Sequence, residues 1–174
     1  MILRRRGLAP AYVPPVSVVL ARRRAAYIEG LTRYRTGEVA AWLEHFAAAA
    51  ATSAQLARGY LSALSALAER WRERLRAVRA PRADAAAWAV IEVLPAHPIL
   101  TAPVAAAATG RARAAIHQAL GDLESAGVLL PLSRARRNRA WEAAGLLDLL
   151  AGLDAGELPP TSGQPRAPTS MPGR

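Results

Sequence analysis

The chain of 174 residues contains no cysteine. That excludes disulfides and thiolate metal sites, and it leads us to expect a reducing, cytoplasmic setting. Lysine is absent too, so all 23 basic residues are arginine. The three histidines, His45, His97 and His117, lie far apart without acids at ligand spacing, which argues against a zinc site. No apolar run is long enough to span a membrane. Pro10, Pro14 and Pro15 interrupt residues 1–21, so that stretch does not read as a signal peptide.

What is abundant is alanine and arginine, a pairing that also follows from GC-rich codons. Hydrophobic residues make up 52% of the chain, but alanine supplies much of that. Alanine helices bury little area, so packing is expected to rely on interspersed Leu, Trp and Tyr. The formal net charge is +10 and favours anionic partners. Its distribution is uneven. Residues 1–83 carry fifteen arginines against five acids, whereas residues 84–154 carry six against seven. Within the second stretch all six arginines fall between Arg111 and Arg139.

Read in order, residues 1–7 look like a helix end stopped by Gly7, and residues 8–15 should be extended. Ser17 can cap a helix over residues 18–35 with Leu20, Tyr27, Leu31 and Tyr34 on one face. From Glu38 to Arg79 apolar residues step by three and four: Val39, Trp42, Phe46, Ala50, Ser53, Leu56, Tyr60, Leu64, Leu67, Trp71, Leu75 and Val78. This predicts one long helix, or two with a bend near Thr52 and Ser53. Arg70, Arg72, Arg74, Arg76 and Arg79 read as its solvated face.

Residues 84–141 follow a different plan. Asp84 can cap a helix over 85–96 with Trp88, Ile91 and Leu94 inward, closed by Pro95 and Pro98. Ile99 and Leu100 suit one rung of a small sheet. Thr101 can cap a second helix with Pro103 in its first turn. Alanines 105, 106 and 108 would let it approach a third helix, residues 112–126, across a turn at Gly110. Ala115, Ile116, Ala119, Leu120 and Leu123 should form the buried stripe of that third helix. Gly127 ends it, and residues 128–132 and 138–142 make a hairpin around a basic turn at 133–137. Together these predict a mainly α protein: a helical arm, residues 1–80, then a winged helix-turn-helix with a short β-hairpin, residues 84–154. Residues 143–153 should be a helix packing on the domain or on a partner, and residues 155–174 a disordered tail.

The third helix and hairpin carry the candidate site. Arg111, Arg113, His117 and Gln118 stand at its start and outer face, where a winged helix meets base edges in the major groove. Arg134, Arg136, Arg137 and Arg139 on the wing suit phosphate contact. An arginine-rich chain would show such a cluster by composition alone, so the two readings stand side by side. Ala112 occupies a position where a capping serine is usual. Gly121 weakens the helix by up to about 1 kcal/mol relative to alanine, or permits close backbone approach. Trp71 and Trp88 read as core anchors, Trp141 as packing the wing onto the third helix, His45 as packing or solvated, and His97 as a turn residue.

The first half has a recognisable order of motifs: Arg5–Pro10, Pro15–Ser17, Leu20–Leu31 with Arg24, Tyr27, Ile28 and Leu31, then Trp42-Leu-Glu-His-Phe46 and Glu69-Arg-Trp71. This resembles the part of Fic (Fic/DOC) family proteins that follows their catalytic loop, with Ile28 in place of a second tyrosine. The resemblance spans roughly residues 1–153, because many bacterial members continue through a long helix into a winged helix. It implies kinship with nucleotide-transferring enzymes that move AMP from ATP to a target hydroxyl through an H-P-F-x-D-G-N-G-R loop. That loop is not in this sequence. His97-Pro98 is followed by Ile99-Leu100, without the glycines or arginine. The expectation is therefore a family member lacking its catalytic half, with no catalytic residue, no cofactor of its own, and ATP and Mg²⁺ only if that half is supplied. Three functions follow as expectations: a double-stranded-DNA-binding or regulatory module, part of an AMP transferase, or a protein-interaction or homodimerisation module. None involves a membrane.

Overall fold

In a computed structural model the chain is described over residues 15–133 and 139–157. The expectations for residues 1–14, for Arg134, Arg136, Arg137 and Asn138, and for the tail beyond 157 lie outside the described residues. The fold is mainly helical with one small antiparallel sheet.

Two short helices, α1 (Val16–Arg22) and α2 (Arg24–Arg35), pack against α3 (Val39–Val78). The single helix expected over residues 18–35 is thus two. The chain breaks at Arg23 (φ −111°, ψ 44°), and Ser17 lies inside α1, which starts directly after Pro15. Arg22, Arg23 and Arg24 are all exposed at the break, so no buried side chain holds that turn helical. The break leaves α1 and α2 each free to lie along α3. There Gly30 is the buried residue of α2, because a Cβ on it would stand 2.9 Å from Trp42 Cε3. Glycine permits that approach, and Tyr27 and Tyr34 flank the same indole.

Helix α3 is one unbroken element of 40 residues, about 60 Å long at 1.5 Å per residue. Thr52 bonds back to the carbonyl of Ala48 without breaking it. The predicted stripe is buried at Ser53, Leu56, Tyr60, Leu67, Trp71 and Leu75, while its ends at Val39, Phe46 and Val78 are exposed.

The head comprises α4 (Ala86–Val93), a 3₁₀ turn (Leu94–Ala96), β1 (Ile99–Thr101), α5 (Ala102–Thr109), α6 (Arg113–Ser125), β2 (Leu129–Pro131), β3 (Ala140–Ala143) and α7 (Leu146–Asp154). The sheet order is β1-β3-β2, with Leu100 opposite Trp141 and Leu130 opposite Glu142. Among the described residues this gives the expected order of three helices, one lone strand and a two-stranded antiparallel ribbon. Asp84 does not cap α4. Ala85 holds that position with no side-chain cap, and the α-helix tightens to a 3₁₀ turn where Pro95 lacks an N–H to continue the ladder. Thr101 does cap α5, accepting from the Val104 amide at 3.5 Å. Helix α6 ends with Gly127 at φ +63°. Gly127 N–H bonds to Glu124 O, and Val128 N–H to Leu123 O, the paired bonds of a Schellman turn. Helix α7 starts three residues later than expected, because Ala143 stays in β3, opposite Leu129 and bonded to Pro98 O.

One core serves the head. Val90, Ile91, Leu94, Leu100, Ala105, Ile116, Leu120, Leu123, Val128, Leu129, Trp141 and Leu146 pack with Leu67, Trp71 and Leu75 of α3. Two small residues fall outside it, contrary to expectation: Ala108 and Ala115 are exposed, since α5 meets α6 through Ala105 and Ala106. The end of the arm is therefore also a wall of the head. Each fully buried leucine-sized side chain there contributes about 1.5–3 kcal/mol.

Candidate nucleic-acid interface

Helix α6 turns Ile116, Ala119, Leu120 and Leu123 into the core. Helical spacing then leaves Arg113, His117, Gln118 and Gly121 on the opposite side, exposed. Arg111, exposed in the loop before it, bonds its amide to Thr109 Oγ1 at 3.3 Å. No side chain caps the first amides of α6, so they remain open to an anion.

Beside this face lies a groove of about 600 Å³. Thr101, Ala102 and Pro103 form one wall, Arg113, His117, Leu120 and Gly121 the floor, and Arg139 and Trp141 the wing side. No carboxylate is among the described residues lining it. Of the eight residues singled out from sequence, the structure brings Arg113, His117 and Arg139 together in this groove. Arg111, in the loop before α6, and Gln118, in its second turn, are exposed but do not line the groove. The other three, Arg134, Arg136 and Arg137, are outside the described residues.

Arg139 is not the free wing arginine the sequence pattern implies. Its Nη2 donates to both carboxylate oxygens of Glu124 on α6, each at 2.8 Å. Its guanidinium lies 4.8 Å over the Trp141 ring, and the Trp141 indole donates to Glu124 Oε2 at 2.9 Å. The indole N–H, with the Arg139 guanidinium behind it, holds the Glu124 carboxyl below its ordinary value against the opposing effect of burial. Trp141 thus joins wing to helix as expected, and Glu124 is the partner that sequence reasoning did not single out. It lies fifteen residues from Arg139, and neither spacing nor composition marks the pair.

The arm arginines are also more engaged than a solvated face. Arg72 bonds to Glu69 at 3.1 Å and to Glu92 of α4. Glu92 is the main cause that raises the Arg72 pKa. Arg74 donates to Gly127 O at 3.0 Å, and Arg79 to Asp122 of α6 at 2.8 Å. Arg76 bonds Glu69 at 2.9 Å and lies 5.6 Å over Trp88. These contacts clip the arm to the head. Arg70 alone of the five keeps the solvated role. Both acids of α6 that remain partly covered, Asp122 and Glu124, face arginines from other elements.

His45 stacks on Trp42 with centroids 6.1 Å apart, and His97 takes the turn after the 3₁₀ segment. Among the described residues no group of three or more His, Asp or Glu gathers at metal-holding distance, and no helix is long and apolar enough to cross a membrane. No family model and no curated protein matches the chain.

Proposed function

We propose that the head is a double-stranded-DNA-binding module with a regulatory role, acting in the cytoplasm. Helix α6 enters the major groove, Arg113 reads a guanine edge, Gln118 an adenine edge, and Arg111 with the wing arginines holds phosphates. The observation that carries this reading is the outer face of α6. It offers Arg113 and His117 beside a groove that no carboxylate among the described residues lines, while Asp122 of the same helix is paired with Arg79 of the arm and Glu124 with Arg139 at the groove's edge. A mobility-shift assay tests it. Arg113→Ala should cost about 1–3 kcal/mol at its base pair. Replacing Arg134, Arg136 and Arg137 should weaken binding to all sequences alike. Absence of binding at low salt removes the proposal.

We further propose kinship with the post-catalytic region of Fic proteins, on the ordered motifs of residues 5–71. In that setting the head would regulate or direct an AMP-transferring enzyme. An in-frame H-P-F-x-D-G-N-G-R upstream of the first codon would support this, and its absence there would count against it. The chain by itself is predicted to transfer no AMP from labelled ATP.

A protein-interaction or homodimer role is the second reading. It is favoured by exposed Ile28, Tyr34, Val39, Leu43 and Phe46 around the far end of the arm. Helix α7 is a weaker docking element, because Leu146 is buried and Leu149 and Leu150 already pack on the core. Light scattering that gives a monomer at all concentrations removes the homodimer.

A further inference from the structure

We propose that Glu124 is an internal rival to DNA phosphate, which holds Arg139 neutralised so that this arginine adds little net charge to the interface. The inference rests on the DNA-binding reading and concerns how that surface is regulated. Arg139 lines the groove with Arg113 and His117 and directly precedes β3. Its Nη2 is shared between both Glu124 oxygens at 2.8 Å, and Glu124 Oε2 also accepts from the Trp141 indole at 2.9 Å. The ring of Trp141 lies 4.8 Å beneath the guanidinium. Arg139 is therefore held by one carboxylate and one aromatic face. The pair is still open to solvent, with side-chain exposures of 35% and 30%, so an arriving phosphate can reach it.

A phosphate in the groove meets a counter-ion already in place. It must displace Glu124 from Arg139 or sit close to its negative charge. Either way, Arg139 contributes less than a free arginine to the counterions that a phosphate contact releases. The restraint also ties occupancy of the groove to α6, the helix that carries Glu124. Opening the pair frees an arginine at the wing side and a carboxylate on the helix at one step.

The test uses the full chain, a fluorescent duplex and anisotropy from 50 to 200 mM salt. Glu124→Gln keeps an acceptor for the Trp141 indole and removes the charge. We expect this variant to bind about fivefold tighter at low salt, with a salt slope steeper by about 0.9. That slope corresponds to an extra loss of about threefold across the range. Arg139→Ala in the wild-type background should leave the slope nearly unchanged, and in the Glu124→Gln background it should return the gain. A wild-type slope that falls by about 0.9 on Arg139→Ala alone overturns the proposal, and this result does not depend on how Glu124→Gln folds. An unchanged or weakened Glu124→Gln, with its thermal transition intact, overturns it too. Failure of the wild type to bind at 50 mM salt defeats the DNA reading itself. That outcome is distinct from a wild type that binds while Glu124→Gln makes no difference.

Discussion

The indole N–H of Trp71 donates to the carbonyl of Ala144 at 3.1 Å. The bond joins the long arm helix to the turn that leads out of β3, and Trp71 is fully buried where it does so. An arm merely tethered to a head would not share a core residue with it. Removing the donor loses a bond to the half-buried Ala144 carbonyl, so Trp71→Phe should cost about 0.5–1.5 kcal/mol. Trp71→Ala adds a cavity and should cost about 3–5 kcal/mol. Urea denaturation of the full chain reads both. A loss below about 0.5 kcal/mol for Trp71→Ala, typical of a surface change, would show that the arm and head do not share this core.

Two glycine-to-alanine changes should act in opposite directions. At Gly30 a Cβ meets the Trp42 ring at 2.9 Å, and overpacking of this kind costs about 1–3 kcal/mol. At Gly121 nothing lies within 4 Å, so Gly121→Ala should stabilise α6 by up to about 1 kcal/mol. Gly121 also lines the groove, so the same change should weaken DNA binding while raising the melting temperature. Separate thermal melts and binding titrations distinguish the two effects.

Acid should loosen the wing from α6. Trp141 and Arg139 lower the Glu124 pKa in the folded protein relative to the unfolded chain. A lowered carboxyl pKa contributes stability that is fully present above the unfolded value and is lost as pH falls through the folded one. Stability should therefore decline on acidification through the carboxylate range, with no matching contribution from Glu124 above it. Glu124→Gln should flatten that part of the curve. Denaturant midpoints measured from pH 7 to pH 3 check this, and identical pH profiles for the two proteins would contradict it.

The arm-to-head clip at Arg79 is a weaker element. Arg79 is 60% exposed where it meets Asp122, itself 17% exposed, and a pair open to solvent on its arginine side contributes about 0–1 kcal/mol. Arg79→Ala should change the urea midpoint only slightly at high salt. A large loss there would mean that the pair is shielded from solvent.

Much of the fold was legible because its signals are local. The three-and-four spacing through Leu56, Tyr60, Leu67, Trp71 and Leu75, the Thr101 cap and the Gly127 stop each act within a turn or two of chain. The break at Arg23 was not legible, since nothing in three consecutive arginines names which one leaves the helix. Asp84 offered good capping chemistry one residue too early. At the candidate site, helical spacing placed Arg113, His117 and Gln118 on the outer face of α6. The Glu124–Arg139–Trp141 cluster was hidden because it depends on the register of β3 against the end of α6. The bonds of Arg74 and Arg79 to the head were hidden for a similar reason, since they arise only once α3 packs beside α6.

The central claim, that α6 and the wing present a DNA-binding surface, is tested most directly by the salt dependence of duplex binding. Arginine–phosphate contacts from Arg111 and three wing arginines, or four with Arg139, predict a log K against log salt slope of about −4, with Arg113→Ala binding its preferred sequence about fivefold or more weaker. Wild-type protein that shows no binding at 50 mM salt, or binding indifferent both to salt and to Arg113→Ala, would contradict the account.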